Sequence, residues 1–111
     1  DPRLAERYDW LSPAVLRFLS RIIVQANEAR VPVGVCGEMG GRTLEAMALI
    51  GLGLRRLSIT PTAIGSVKAM IRSIDTRDLE AVVQPLVRQG NRDIRQQLTG
   101  WAEGQGVELG V

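Results

Sequence analysis

The sequence predicts an α/β chain ordered α-β-α-β-α and followed by a helical C-terminal tail. Three observations carry that prediction. Residues 31–35 are a short β-branched run and 57–59 read as a second short strand, apolar residues recur at helical spacing around them, and Ser-Pro and Thr-Pro pairs stand where helices should begin. Alternation of this kind implies parallel strands joined by helical crossovers. Two parallel strands cannot cover their own edges or both faces. The pattern therefore reads as the closing quarter of a larger sheet or barrel. The start Asp1-Pro2-Arg3, without an initiator methionine, likewise predicts a piece of something longer.

Residues 1–11 are irregular and mixed in charge. Ser12-Pro13 sets a serine N-cap before a proline at the first helical position. Val15, Phe18, Leu19, Ile22, Ile23 and Ala26 follow at helical spacing, with Arg17, Arg21, Gln25 and Glu28 on the other face, until about Arg30, where Pro32 stops the helix. The first strand comes next, then a loop holding Gly37, Gly40 and Gly41. Thr43 is expected to cap a second helix carrying Leu44, Met47, Ala48 and Ile50. Gly51 and Gly53 at its end are close-packing or C-cap positions. After the second strand, Thr60-Pro61 opens a third helix lined by Ile64, Val67, Met70, Ile71 and Ile74. Asp75 opens a fourth with Leu79, Val82, Val83 and Leu86, which Pro85 should bend or end. Gly90-Asn91 precedes a last amphipathic stretch with Ile94, Leu98, Trp101 and Ala102, and the glycine-rich residues 104–111 should fray.

Composition narrows the function classes. The 111 residues are 45% hydrophobic and 23% charged, which fits one small domain at most, and 14 basic against 12 acidic residues leave a net charge of only +2. Nucleic-acid binding usually needs a clustered basic face with aromatics to stack on. Here Arg55-Arg56 is the longest basic run, and the aromatics are two tryptophans, one tyrosine and one phenylalanine. No stretch approaches the roughly 18 apolar residues that span a bilayer. One cysteine argues against a disulfide framework and for a reducing, cytoplasmic compartment. The chain has no histidine, so imidazole catalysis, histidine metal ligation and phosphohistidine chemistry cannot come from it.

The segment from Val33 to Thr43 holds that cysteine, Cys36, at the carboxyl end of the first strand, where α/β folds build their sites. Its glycine-rich loop is neither a P-loop nor a dinucleotide fingerprint: Arg42 stands in place of lysine, and Gly34, Gly37 and Gly40 are spaced by three. The loop either cradles a phosphate or simply lets the helix approach the strand. Cys36 is either a small buried hydrophobe or a reactive group. As a reactive group it points to acid chemistry, because an unactivated thiol, pKa about 8.5, stays protonated at neutral pH. Glu38 is a solvated loop carboxylate or part of a site. Arg42, Arg55 and Arg56 are surface residues or phosphate contacts, and Trp10 and Trp101 read as packing residues.

Three strings together carry a resemblance: Cys36-Gly37-Glu38-Met39-Gly40-Gly41, Ala48-Leu49-Ile50-Gly51-Leu52-Gly53 and Leu57-Ser58-Ile59-Thr60-Pro61. They are preceded by Tyr8-Asp9-Trp10-Leu11-Ser12-Pro13-Ala14-Val15-Leu16. The chain resembles the C-terminal part of the barrel that binds phosphoenolpyruvate (PEP) in PEP–protein phosphotransferases, the enzyme I family, and most closely the nitrogen-type enzyme I. The resemblance covers about residues 1–75. It implies the terminal segment, about the last quarter, of a PEP-utilising (β/α)8 barrel, with residues 76–103 as a helical C-terminal extension and 104–111 as a flexible tail.

That resemblance implies an intact parent enzyme that passes the phosphoryl group of PEP to a protein histidine and then to a phosphocarrier protein. In it Cys36 would protonate enolpyruvate to pyruvate, with Gly37 and Glu38 binding substrate beside it. It implies Mg2+ in the parent, with no metal ligand in this chain, because the family's phosphate-binding arginines, metal segment and phosphorylated histidine lie elsewhere. The chain alone is then expected to be inactive, to form homo-oligomers, and to bind neither nucleic acid nor membrane. The alternative is a dimerisation or interaction module without catalysis of its own. A redox-sensing thiol is a third reading.

Overall fold

The computed structural model describes residues 11–35 and 42–109. Five α-helices occur among them: α1 Pro13–Ala29, α2 Thr43–Gly51, α3 Ile64–Arg72, α4 Thr76–Arg88 and α5 Ile94–Gln105, with a 3₁₀ turn, Pro61–Ala63, leading into α3. The sequence expectation of two strands is corrected. Among the described residues they reduce to a single parallel bridge between Val35 and Leu57. Val35 N–H donates to the Arg56 carbonyl at 3.3 Å, and Ser58 N–H donates to the Val35 carbonyl at 2.9 Å. The direction is the parallel one that a helical crossover requires. Two short segments with no third partner among the described residues cannot sustain a ladder.

The helix starts follow local chemistry. Val15 N–H donates to Ser12 Oγ at 3.3 Å, with Pro13 in the first turn of α1. Arg77 N–H donates to Asp75 Oδ1 at 2.8 Å at the start of α4. Two starts differ from expectation. Thr43 is the first helical residue of α2, Arg42 being the N-cap, and Thr60-Pro61 opens the 3₁₀ turn, with α3 beginning only at Ile64. Pro85 does not end its helix, since α4 runs on to Arg88. Its buried stripe Leu79, Val83 and Val87 continues past the proline at a spacing of four, and packing of that stripe outweighs one lost helical bond.

α2 lies at the centre, packed against α3, α4 and α5. Every residue from Glu45 to Leu52 is buried, as expected of a helix that is apolar all round. α4 adds its stripe to this core, and α5 adds Ile94, Leu98 and Ala102, again four apart. The helical extension after residue 76 thus shares one hydrophobic core with α1–α3. The end of the chain is also more regular than its glycines suggested. α5 continues to Gln105, Gly106 closes it in the left-handed region, and Val107 is buried.

α1 packs on α4 and buries Leu16 and Ile23, with Leu19 partly buried against the core, so only part of the face that periodicity picked out is covered. Phe18 is 64% exposed and Ile22 and Val24 also face outward. Arg17 ties the two helices together at the far end of α4. Its Nε donates to the Val87 carbonyl at 3.1 Å and its Nη2 to the Arg88 carbonyl at 3.0 Å, satisfying carbonyls that the helix end leaves open. Gly90, at φ 68°, leaves room for that guanidinium: a Cβ there would lie 2.8 Å from Arg17 Nη2.

The closest helix approach is at Gly51, where a Cβ would lie 2.5 Å from Val83 Cγ2. Val83 is fully buried, and its Cβ as well as a methyl group would lie within 3 Å of the added atom, so a change of rotamer alone does not remove the contact. Gly51→Ala is therefore expected to lower stability by about 1–2 kcal/mol, the overpacking cost exceeding alanine's better helix propensity. Chemical unfolding of Gly51→Ala, alone and with Val83→Ala, checks this. The second substitution removes the two Val83 methyl groups and should relieve part of the clash, the Val83 Cβ itself still lying 2.8 Å from the added one, and a stabilised Gly51→Ala would refute the close-packing account.

Candidate active site

Cys36, Gly37 and Glu38, the residues singled out for chemistry, lie outside the described residues, as do Met39, Gly40 and Gly41. Both points where the chain enters and leaves this segment are described. On the entry side Val35 is fixed by its two backbone hydrogen bonds across the bridge. A shallow hollow of about 290 Å³, lined by Gly34, Val35, Arg56, Leu57 and Ser58, opens directly at that bridge. On the exit side Arg42 leads straight into the first turn of α2, where the Ala46 N–H donates to the Arg42 carbonyl at 2.8 Å.

That first turn contains a charged residue that sequence reasoning missed. The Glu45 side chain is only 3% exposed, and its Oε1 accepts a hydrogen bond from Arg95 Nη2 on α5 at 2.6 Å. A carboxylate near a helix N-terminus sits favourably in the helix dipole. One taken out of water also needs a charged or hydrogen-bonding partner, which Arg95 supplies. The available signal was the run around Glu45. With Leu44 and Ala46 to Ile50 apolar on every side, a lone acid in this helix had no solvent face to occupy.

The candidate arginines divide. Arg55 Nη1 donates to the carbonyls of Ile50 and Leu54, both at 2.9 Å, closing the end of α2, while its Nη2 pairs with Glu80 at 2.7 Å. Its role is to finish a helix. Arg56 contributes its carbonyl to the bridge, and Arg42 is exposed at the N-cap without a side-chain cap bond. Trp101 packs, half-buried, against the core, as the packing reading had it, and Trp10 lies outside the described residues. A groove of about 640 Å³ runs between α3 and the Leu57 segment, with Ile50, Leu54, Ile59 and Val67 among its lining residues. Neither Val35 nor Arg42 borders it. Among the described residues no three His, Cys, Asp or Glu side chains gather where they could hold a metal ion, and no helix is long and apolar enough to cross a membrane.

Residues 1–76 match the family of the PEP-binding domain of PEP-utilising enzymes. The chain belongs to that family. The matched region takes in the Cys36 segment, the bridge and α1–α3 of this PEP-binding domain. A Phosphoenolpyruvate-dependent phosphotransferase system protein of Salmonella typhimurium is 36% identical over 106 residues, 95% of this chain and 14% of that protein. A Phosphoenolpyruvate-protein phosphotransferase of Cupriavidus necator is 40% identical over 88 residues, 79% of this chain and 15% of that protein. Multiphosphoryl transfer protein 1 of Escherichia coli K12 is 37% identical over 76 residues, 68% of this chain and 9% of that protein. The chain therefore spans only about a seventh of the length of the first two relatives. A match of 106 residues in 111 necessarily runs through α4 and α5, so the likeness to the Salmonella protein extends beyond the part that the sequence strings had suggested.

Proposed function

We propose that this chain is the closing part of a (β/α)8 barrel in a PEP–protein phosphotransferase, and that Cys36 is the acid that converts enolpyruvate to pyruvate. The observation that carries the reading is the family match over residues 1–76, which spans the Cys36 segment, joined to relatives whose names are those of phosphotransferases. The parallel sense of the Val35–Leu57 bridge supports the barrel, because helical crossovers between barrel strands require it.

In the whole protein the phosphoryl group of PEP passes to a histidine outside this chain, leaving the enolate of pyruvate. Its C3 then needs a proton. The Cys36 S–H bond breaks as a C–H bond forms at C3, the enolate electrons collapse into the pyruvate carbonyl, and the thiolate regains a proton from solvent. A neutral thiol suits this task because it delivers a proton without needing a base to activate it. Gly37 and Glu38 are proposed to shape the substrate side of the loop. Mg2+, proposed for the whole protein, would neutralise charge on the transferring phosphoryl group. The described residues supply no set of ligands for it, so no step here passes through it. A phosphocarrier acceptor and a cytoplasmic location belong to the same proposal.

Cys36→Ala in the full-length protein should leave the fold intact, since losing one sulfur creates only a small cavity, and should reduce pyruvate formation by at least about a hundredfold, the scale of a lost general acid. Pyruvate release measured by a coupled assay decides it, and wild-type turnover would remove the assignment. The 111-residue chain by itself should neither bind PEP tightly nor catalyse. Titration calorimetry that finds micromolar affinity would mean that the site is complete within this chain.

The second reading, an interaction module, is favoured by the apolar side chains left facing outward: Phe18, Ile22, Val24 and Val31, together with Ile64 and Ile71 beside the large groove. Covering one such side chain fully contributes roughly 1.5–3 kcal/mol. Sedimentation of the chain at micromolar concentration is expected to show a dimer or larger species, and a compact monomer would contradict self-association.

A further inference from the structure

We propose that the outer edge of the Leu57–Ile59 segment, with the groove between it and α3, is a docking surface for one extended segment. That segment lies parallel to Leu57–Ile59, carries a carboxylate opposite Lys68, and comes from the part of the whole protein outside these 111 residues. The inference rests on the reading of the chain as part of a larger protein and goes beyond it, because it names the surface, the groups that bind and the chemistry of what they bind.

The backbone supplies the first observation. The Val35–Leu57 bridge turns the Arg56 carbonyl and the Ser58 N–H toward Val35. Successive residues of an extended chain turn their backbone groups to opposite edges, so the N–H and carbonyl of Leu57 face away from Val35, as do those of Ile59 two residues on. None of these groups makes a hydrogen bond among the described residues. Leu57 and Ile59 are themselves half-buried, and backbone groups withdrawn from water are costly unless paired. Exposed edges of natural sheets are commonly blunted by a charge or a proline. From Leu57 to Thr60 the chain carries neither. This edge is composed like an interior one.

The groove supplies the second. Leu57 and Ile59 line it from one side and Ile64, Val67 and Ile71 from α3, with Ile64 and Ile71 left 37% and 42% exposed. A segment added at the edge would direct every second side chain over this apolar floor, and about 640 Å³ holds several of them. The charged residues that line the groove are Arg55 and Lys68, both cationic. Arg55 is occupied by the Ile50 and Leu54 carbonyls and by Glu80. Lys68 has no ion pair or hydrogen bond among the described residues, which is why the occupant should bring an acid.

Charge also decides between occupants. A second copy docked here about a two-fold axis would set the same two cations of each molecule facing one another, an arrangement that opposes association. It would also pair the edges antiparallel, whereas the bridge already present is parallel. A segment of the same protein meets neither objection. The chain covers 14% and 15% of the length of the Salmonella and Cupriavidus relatives, so a protein of that kind has ample further chain to supply it.

The test uses the full-length protein. Residue-resolved hydrogen exchange should find the Leu57 and Ile59 amides protected at least about a hundredfold relative to an unstructured chain, comparably to Ser58, whose N–H is already bonded to Val35. Free exchange at positions 57 and 59 beside a protected Ser58 would mean an open edge and overturn the proposal. The occupant is identified by zero-length carbodiimide cross-linking of a mixture of nitrogen-15-labelled and unlabelled protein. Lys68 should join an aspartate or glutamate outside residues 1–111, with both halves of the linked peptide pair carrying the same label, and Lys68→Arg should abolish the link. A link that mixes the labels would assign the surface to a second copy, and no link at all would remove the acidic partner. Either result overturns the proposal. Cys36→Ala, assayed in the same protein, keeps the two readings apart. Lost pyruvate formation with freely exchanging edge amides removes only the docking surface. Unchanged turnover with protected amides and the expected link removes the acid and leaves the surface standing.

Discussion

Burial of α2 is the constraint on which the rest of the described structure depends. From Glu45 to Leu52 no residue of this segment reaches solvent, so each neighbouring element must present a face to it. That requirement accounts for the regular spacing of four along α4 and α5. It also accounts for the glycine at position 51, where α4 comes too close for a side chain. Even the polar features of the helix follow from it. Its one acid is paired because it is buried, and the Ile50 carbonyl in its last turn accepts from the Arg55 guanidinium.

What could be read in the sequence was what is decided locally. Ser12 and Asp75 cap their helices because a short oxygen-bearing side chain before a helical run meets free N–H groups whatever surrounds it. Gly51 was legible as a close-packing or C-cap position, and Val83 on α4 decides for the first. Features that depend on a partner were not. Residues 31–35 and 57–59 have strand composition, but a ladder needs neighbours, and the two segments offer each other one bridge. α1 carries apolar residues around much of its surface, so periodicity picked the buried Ile23 but also the exposed Phe18 and Ile22, and left out the buried Leu16. Pro85 was read by its backbone cost alone, whereas the stripe on either side of it decides the outcome.

The candidate site divides along the same line. Cys36, Gly37 and Glu38 were found by a string of residues, which needs no geometry, and they fall outside the described residues. Glu45 and Arg95 are 50 positions apart and form no string at all. Glu45 taken alone looks like any solvated helix acid. Only the apolar run in which it is set makes it unusual, and only the fold supplies its partner.

The family match and the core do not end at the same residue, and the difference has a physical meaning. The match stops at residue 76, the first turn of α4, yet α4 is the helix most extensively packed on α2. Removing everything after residue 76 would uncover Gly51 and the neighbouring buried face of α2, and it would strip Glu45 of Arg95. A carboxylate buried without a partner costs more than the pair it belonged to contributes, so the truncated chain would have to rearrange at the turn that follows the Cys36 segment. The C-terminal helices are in this sense part of the core that the matched residues need. A relative that matches over 106 residues is similar along this part of the chain as well.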